Sequence, residues 1–304
     1  MVIKEISQIW MNDKVKFVKQ SSFSSYALLL ITHIYPYFGE KEQFAEKDVQ
    51  TFVLKKIEEG YSIATIKHIV VVIKMIQRFA VKNKLMNHEP IDVVYPLSTK
   101  GKELQVLTKS EERKLLDYLN SHFSFKNLGL IIALSTGLRI GELCALKWCD
   151  FDMEQEILKV RHTVRRAYYV SENERHTQVE IDSPKTISSN RDIPLSTELC
   201  RIIKPLLKVV NATNFVLSND VKPIEPRNYR NYFKRLVTRI DIPYLKFHGL
   251  RHSFATRCIE SDCDYKTVSA VLGHANVSTT MNLYVHPNNE QKKKCIEKML
   301  KSIK

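Results

Sequence analysis

The sequence lacks the features that would set it apart from ordinary globular proteins. Its 6 cysteines include no CxxC pair, which argues against a zinc ribbon. They also lack the spacing pattern of small disulfide-bonded domains, which argues against a disulfide scaffold. Apolar runs such as residues 69–73 are far too short to cross a bilayer. Residues 1–10 carry charges and lack the apolar core of a signal peptide. We therefore expect reduced thiols, no membrane segment and a cytoplasmic location.

Acidic residues are also in deficit. The 304 residues include 47 Lys and Arg against 33 Asp and Glu, which gives a net charge of +14. Most of the excess follows residue 98, because the first 98 residues hold 13 basic and 10 acidic side chains and the remainder holds 34 and 23. Such a field attracts polyanions, of which nucleic acid is the commonest. A net positive charge can equally well serve solubility, so by itself it does not indicate nucleic-acid binding.

Hydrophobic periodicity divides the chain in two. Helical spacing at residues 6–18, 26–37, 49–57 and 63–79 predicts an all-helical N-terminal domain over residues 1–96. Prolines and a polar stretch predict a linker at residues 97–106. Residues 107–304 are predicted to form a mainly helical second domain with a C-terminal helix. Strand-like alternation at residues 157–162, 164–170, 178–182 and 191–195 adds a small antiparallel β-sheet, so the predicted fold class is mainly α.

Capping residues predict where several helices begin. Ser22 or Ser24 stands before the second N-terminal helix, Asp48 before the third and Ser62 before the fourth. Thr108 with Glu111 forms a capping box, which predicts a helix running to about residue 120.

Three short segments carry residue types suited to phosphate chemistry. In HGLRH, His248 and Arg251 are three residues apart and share a helix face, where imidazole and guanidinium can contact one phosphate. The segment LGH ends at His274, 23 residues after Arg251, and Tyr284 follows ten residues later. Upstream, the glycine turn in TGLRIGEL presents Arg139 at the start of a helix.

These segments resemble the tyrosine recombinases, the phage-integrase type of site-specific recombinase. The resemblance covers residues 105–304. Its five motifs are TGLRIGEL, the lysine segment SPKTISSNRDIPL, HGLRH, LGH and the tyrosine at position 284, and together in this order and spacing they are a specific signature, although each alone is weak. The resemblance implies a SAM-like helical core-binding domain followed by a mixed α/β catalytic domain. It implies the following catalytic residues: Arg139, Lys185 in SPKTISSNRDIPL, His248, Arg251, His274 and Tyr284, with Glu142 in a supporting role.

The chemistry of these groups fits the implied roles. Arg139 and Arg251 can clamp the nonbridging oxygens of a five-coordinate phosphorus, whose negative charge increases during attack. The Tyr284 hydroxyl, with a reference pKa of about 10, becomes a better nucleophile beside positive charge and a base. Lys185, on a predicted hairpin, is the expected general acid for the leaving 5′ oxygen.

The remaining groups are expected to assist. His248 is expected to help proton transfer at Tyr284, His274 to donate a hydrogen bond to a phosphate oxygen, and Glu142 to orient an arginine. A covalent 3′-phosphotyrosine conserves the bond energy, so we expect no ATP, no metal and no other cofactor.

A zinc site is the alternative interpretation of the histidines. His248 and His252 are four residues apart and could bind zinc together with His274. Gly249 stands where an HExxH motif has glutamate, which argues against this site. We interpret His252 as a helix histidine with a structural role.

The resemblance implies double-stranded DNA recombination sites and a homotetramer in the synaptic complex as partners, and it leaves room for an accessory directionality factor. Because the helices begin almost at Met1, we expect no further arm-site domain, as in the Xer-like, chromosome-dimer-resolving members. Integrase, resolvase and invertase all remain open. The C-terminal helix has Ile296, Leu300 and Ile303 on one face. Two placements stay open for it: docking on a neighbouring protomer, or packing against its own chain. Competing functions are DNA relaxation like that of a type IB topoisomerase, and DNA-binding regulation without catalysis.

Overall fold

The structure is a computed structural model that describes residues 1–96, 104–170, 175–182 and 189–284, together with six helical positions between 293 and 301. The predicted fold class is confirmed. The helices in the described ranges are α1 (Ile3–Lys14), α2 (Gln20–Leu29), α3 (Tyr35–Phe38), α4 (Glu46–Glu58), α5 (Ile63–Lys82), α6 (Lys109–Ser121), α7 (Phe125–Thr136), α8 (Ile140–Ala145), α9 (Thr197–Leu206), α10 (Pro226–Arg239), α11 (His248–Glu260), α12 (Tyr265–Leu272) and α13 (Val277–Tyr284). None of them has the length and apolar character needed to span a bilayer.

The strands form two small sheets rather than the single sheet that was predicted. They are β1 (Phe151–Asp152), β2 (Ile157–Val160), β3 (Thr163–Val170), β4 (Arg175–Asp182) and β5 (Arg191–Pro194). The first sheet has the antiparallel order β1-β2-β5, with Leu158 opposite Ile193, and the second pairs β3 with β4. Burial alternates along β5, so Arg191 and Ile193 face inward.

The chain divides into two compact units, Met1–Lys102 with Arg166–Gln178, and Glu103–Arg165 with Val179–Lys304. The outer part of the β3–β4 pair thus groups with the first unit, although the sequence predicted it in the second domain. Residues 97–103 of the predicted linker lie outside the described residues. The domain bounds 1–96 and 107–304 stay a prediction.

The first unit is built round α5, whose apolar face is buried against the other helices of the unit. Trp10, Phe38 and Phe52 are almost fully buried in this core. The helix predicted at residues 26–37 is divided into α2, a π-helix at Leu30–Ile34, and α3. Pro36 lies in the first turn of α3, and because proline has no N–H, the regular hydrogen-bond ladder cannot continue through it.

The second unit has its own core, which holds α7 at its centre. Leu130, Ile132 and Trp148 are fully buried there. Tyr229 of α10 is also fully buried and donates a hydrogen bond to the Lys126 carbonyl at 2.7 Å, so its hydroxyl is satisfied. This core holds α8, β5 and α11 in fixed positions, and these elements carry most of the site described below.

Two of the four predicted caps are confirmed, and neither Ser22 nor Ser24 is a cap, because α2 already begins at Gln20 with Lys19 as its N-cap residue. The Ser62 hydroxyl accepts from Thr65 N at 3.2 Å, and Thr108 and Glu111 form the reciprocal capping box at the start of α6. Asp48 is wrong as a cap, because α4 begins one turn earlier at Glu46 and Asp48 accepts from Ala45 N at 2.9 Å. A carboxylate at the third helical position reaches back to the N–H of the residue before the helix, whereas a capping side chain accepts from N–H groups within the first turn.

Candidate active site

Two glycines in the left-handed conformation end the helices that lead into the site. Gly137 ends α7 with φ 64° and Gly273 ends α12 with φ 68°. Only a residue without Cβ adopts this backbone at little cost, which explains the glycine in both motifs. The first turn delivers Arg139 to the start of α8, and the second delivers His274 to the loop after α12.

The C-terminal end of α12 anchors three arginines. Three consecutive carbonyls there each accept a hydrogen bond from a different guanidinium: Val271 O from Arg191 Nε at 2.6 Å, Leu272 O from Arg251 Nη2 at 2.8 Å and Gly273 O from Arg139 Nη2 at 3.0 Å. The negative end of the helix dipole favours cations at this position. One helix end therefore gathers side chains from α8, β5 and α11.

Glu142 is a buried carboxylate shared by two of these arginines. It accepts from Arg139 Nη1 at 2.7 Å and from Arg191 at 3.1 and 3.2 Å, and only 3% of its side chain is exposed. Burial alone would raise the pKa of Glu142, but the hydrogen bonds and charge of Arg191, followed by the charge of Arg139, outweigh it and lower the pKa. Glu142 is thus ionised and holds Arg139 in place.

Arg251 is a buried cation without a bonded counter-ion among the described residues. It is 2% exposed, and its guanidinium donates to the carbonyls of Gly137 at 3.0 Å and Leu272 at 2.8 Å. Its Nε–H is buried and finds no acceptor in the described part of the chain. Desolvation, followed by the charge of Arg139, lowers the pKa of Arg251 to about 9. A buried cation held by neutral carbonyls stabilises an incoming anion strongly.

His274 and His248 lie within the field of these arginines. His274 is half-buried, and its Nδ1 lies 2.8 Å from the Thr280 hydroxyl. Desolvation and the charges of Arg251 and Arg139 lower the pKa of His274 to about 4. His248, at the start of α11, is more exposed than His274, and desolvation of its buried part, followed by the charges of His252 and Arg251, lowers its pKa to about 4. Both rings are therefore neutral near pH 7.

Tyr284 is the last residue of α13 and is 8% exposed. Its hydroxyl lies 2.6 Å from Nδ1 of His252, and the two ring planes are inclined at 52°. Desolvation raises the pKa of Tyr284, and the charge of Arg251 opposes that effect in part. The phenol is therefore protonated in the free protein, with a histidine directly at its hydroxyl.

The described residues contain no group of three His, Cys, Asp or Glu arranged to hold a metal ion. His248 and His252 lie edge to face, with ring centroids 4.6 Å apart.

The chain has relatives among known proteins. The family model of the phage integrase family matches residues 105–291. The chain belongs to this family. It is similar to a XerC-like tyrosine recombinase of Caldanaerobacter subterraneus, with 30% identity over 82% of this chain and 69% of that protein. The transposase of transposon Tn916 from Enterococcus faecalis is 26% identical, with 79% of this chain matched.

Among solved structures, the Tn1549 transposon integrase in complex with a circular intermediate DNA has the same fold, with a TM-score of 0.80 and 23% identity over 98% of this chain and 99% of that one. The chain spans 62% of the length of the Tn916 transposase. Membership of the family makes this chain a tyrosine recombinase, an enzyme that transfers DNA strands.

The structure of this family member brings together five of the six predicted catalytic residues. Arg139, Arg251 and His274 meet at the end of α12, His248 lies beside them on α11, and Tyr284 contacts α11 through His252. Lys185, the sixth, lies outside the described residues.

Sequence reasoning missed two residues that belong to this cluster. Arg191 was expected only as the first residue of a strand, whereas it binds Glu142 and α12. His252 was expected to be structural, whereas it contacts the hydroxyl of Tyr284. The only available signals were the arginine within RDIPL and the second histidine of HGLRH.

Proposed function

We propose that this chain is a site-specific recombinase of a mobile genetic element that cleaves and rejoins DNA through a covalent 3′-phosphotyrosine at Tyr284. The observation that carries the proposal is the Tyr284 hydroxyl within the electrostatic field of Arg251, a buried cation without a bonded carboxylate among the described residues. Such a guanidinium is complementary to a phosphodiester that gains negative charge during attack. The Tn916 transposase among its relatives supports the mobile-element role.

The other site residues act on the same phosphate. Arg139 and Arg251 clamp the nonbridging oxygens, and His274, neutral and fixed by Thr280, donates a hydrogen bond to one of them. His248 takes part in proton transfer at the nucleophile. Lys185 gives a proton to the leaving 5′ oxygen, a role that rests on the sequence motif alone.

DNA affinity comes largely from phosphate contacts. One face of α10 carries five exposed basic side chains and no acidic one, and a groove of about 710 Å³ on this helix is lined by Asn228, Asn231, Lys234, Arg235, Thr238 and Arg239. Cations interleaved with amides and a hydroxyl suit a sugar-phosphate backbone. The partner is double-stranded DNA at the recombination sites, and the protein acts in the cytoplasm.

Strand exchange takes place in a homotetramer on two such sites, and an accessory directionality factor can set its direction. Ile296 and Leu300 of the C-terminal segment are more than half exposed, which supports docking of this segment on a neighbouring protomer. Ile303, the third residue of the predicted face, lies outside the described residues.

The decisive experiment is covalent trapping on nicked duplexes that carry the repeats flanking the coding region. Wild-type protein is expected to form a covalent complex that survives denaturing electrophoresis, and Tyr284→Phe is expected to form none. Tyr265→Phe is the matched control, because this tyrosine is 39% exposed on α12 and lies outside the proposed site. A complex formed by Tyr284→Phe would overturn the assignment of the nucleophile.

Two further assays separate the competing functions. A type IB topoisomerase would relax a supercoiled plasmid without these repeats, whereas a recombinase exchanges strands between two copies of the site. A regulator would bind the duplexes without forming any covalent complex.

A further inference from the structure

Among the described residues, the Tyr284 hydroxyl hydrogen-bonds to His252, which lies on a different helix. Nδ1 of His252 lies 2.6 Å from Tyr284 Oη, which is the distance of a strong hydrogen bond between neutral groups. The two residues are 32 positions apart and meet because α11 packs against α13. Within the described part of the chain, this is the hydrogen bond that the hydroxyl makes.

The direction of this hydrogen bond follows from the protonation of both partners. Burial, followed by the charge of Arg251, lowers the pKa of His252, so its ring is neutral near pH 7. Burial raises the pKa of Tyr284, so the phenol keeps its proton. A neutral imidazole with its hydrogen on Nε2 accepts at Nδ1, and the phenol O–H donates to it.

We propose that His252 is the general base that accepts the proton of Tyr284 during strand cleavage, a role that rests on the proposed function of this site. The Tyr284 O–H bond breaks, its proton moves to Nδ1, and an oxygen electron pair forms the bond to phosphorus. The bond from phosphorus to the 5′ oxygen breaks with its electron pair on that oxygen, which takes a proton from the general acid. On rejoining, His252 returns its proton to the departing Tyr284.

The geometry favours His252 over His248 for this step. The described residues include no direct hydrogen bond between His248 and Tyr284, and the His248 ring instead packs edge to face against His252. The titratable and charged groups that face His252 are His248 and Arg251 from α11 and Tyr284 from α13. Among the described residues, no ionisable side chain of α7 or α12 hydrogen-bonds to its ring.

Variants at His252 separate proton transfer from positioning. Asparagine places an amide oxygen near the position of Nδ1 and keeps an acceptor for the phenol, but it cannot take a proton. Phenylalanine keeps the ring and removes the acceptor. We expect both His252→Asn and His252→Phe to lower the single-turnover cleavage rate by about 10²-fold, the usual contribution of a general base. Wild-type cleavage by His252→Asn would overturn the proposal, because it would leave only a positioning hydrogen bond.

A substrate with sulfur at the leaving 5′ position tests whether a variant is defective in deprotonating the nucleophile or in protonating the leaving group. A thiolate leaves without protonation, so this substrate relieves a defect in the general acid and not one in the base. We expect Lys185→Ala to regain cleavage on the 5′-thio duplex, and His252→Phe to remain about 10²-fold slow on both duplexes. Recovery of His252→Phe on the thio duplex would overturn the proposal.

Chemical rescue gives a readout that a structural role would not produce. In His252→Ala, added imidazole is expected to restore cleavage in proportion to its free-base form, with no effect on Tyr284→Phe. Duplex binding and thermal midpoints establish that each variant is folded. Absence of rescue in a folded His252→Ala variant that binds DNA would count against the proposal. If wild-type protein forms no covalent complex at all, the proposed function fails; if it does and the His252 variants match it, this inference alone fails.

Discussion

Arg191 and Glu142 form a buried two-pronged ion pair, with Nη1 to Oε1 at 3.2 Å and Nη2 to Oε2 at 3.1 Å. Their side chains are 7% and 3% exposed. The pair connects β5 to α8, and Arg191 also binds the end of α12 through its Nε. Because Arg139 shares the same carboxylate, the position of one predicted catalytic residue depends on a residue that the sequence motifs did not reveal.

Removal of Arg191 is expected to destabilise the second unit. In Arg191→Met, Glu142 stays buried with Arg139 as its remaining partner, and breaking a buried ion pair on one side costs about 3–5 kcal/mol. Urea unfolding followed by the fluorescence of Trp148, which is buried in the core of this unit, measures the loss.

An exposed ion pair that uses the same strand provides the control. Asp192, the next residue of β5, pairs with Arg161, and their side chains are 46% and 35% exposed. Solvent weakens such a pair, so Asp192→Asn is expected to cost less than about 1 kcal/mol. Equal losses in the two variants would contradict the structural role assigned to Arg191.

Gly137→Ala is expected to be more destabilising than Gly60→Ala, although both glycines have positive φ. A Cβ on Gly60 meets nothing within 4 Å, whereas one on Gly137 would lie 2.6 Å from Phe254 Cδ1 and 2.7 Å from Leu272 Cδ2. Gly60→Ala thus reports the cost of the left-handed backbone alone, about 1–2 kcal/mol, and Gly137→Ala adds an overlap of about 1–3 kcal/mol. Unfolding is followed through Trp10 for the first and Trp148 for the second. Equal costs would mean that the neighbours of Gly137 move aside freely.

The sequence predicted which side chains the structure brings together at the candidate site because most of them lie in local motifs. The spacing of His248 and Arg251 on one helix, and the glycine turns before Arg139 and His274, fix short-range geometry that linear order reports directly. The same reasoning failed where a contact depends on packing between distant elements. Arg191 is 49 residues from Glu142, and an arginine at the start of a strand has no local pattern to distinguish it.

His252 does lie in a local sequence pattern, but that pattern did not reveal its contact with a distant residue. Its spacing of four from His248 is a real local pattern, and it suggested either a metal pair or a structural histidine. The contact with Tyr284 arises only when α13 packs on α11, 32 residues further along the chain. The helix predicted at residues 26–37 is helical throughout, and only its hydrogen-bond pattern changes, to a π-helix at Leu30–Ile34 directly before the turn that holds Pro36.

Arg235→Gln is expected to reduce the salt dependence of DNA binding. If Arg235 on α10 contacts a phosphate, its removal makes the negative slope of log K against log salt less steep by about 1. Fluorescence anisotropy with a 5′-labelled duplex of arbitrary sequence measures this nonspecific term. Lys208→Gln removes the same charge from an exposed residue outside α10 and is expected to leave the slope unchanged. Identical slopes for the two variants would count against α10 as the phosphate-binding face.

Acid is expected to destabilise the free protein well before carboxylates are protonated. The pKa of His274 is lowered from 6.5 to about 4 in the folded protein, so the unfolded chain binds the proton more readily below pH 6.5. Stability is therefore complete above about pH 6.5 and falls as the pH decreases toward 4, because the unfolded state gains protons that the folded state excludes. His248 and His252, whose pKa values are also lowered, act in the same direction.

Urea midpoints measured between pH 7.5 and 4.5 are expected to show this loss of stability. His274→Asn removes one titrating group and can keep a hydrogen bond to Thr280, so its loss of stability over the same range is expected to be smaller. A wild-type stability that does not change over this range would mean that the histidines bind protons equally readily in the folded and unfolded states. The arginines would then lower the pKa values of these histidines less than the geometry implies.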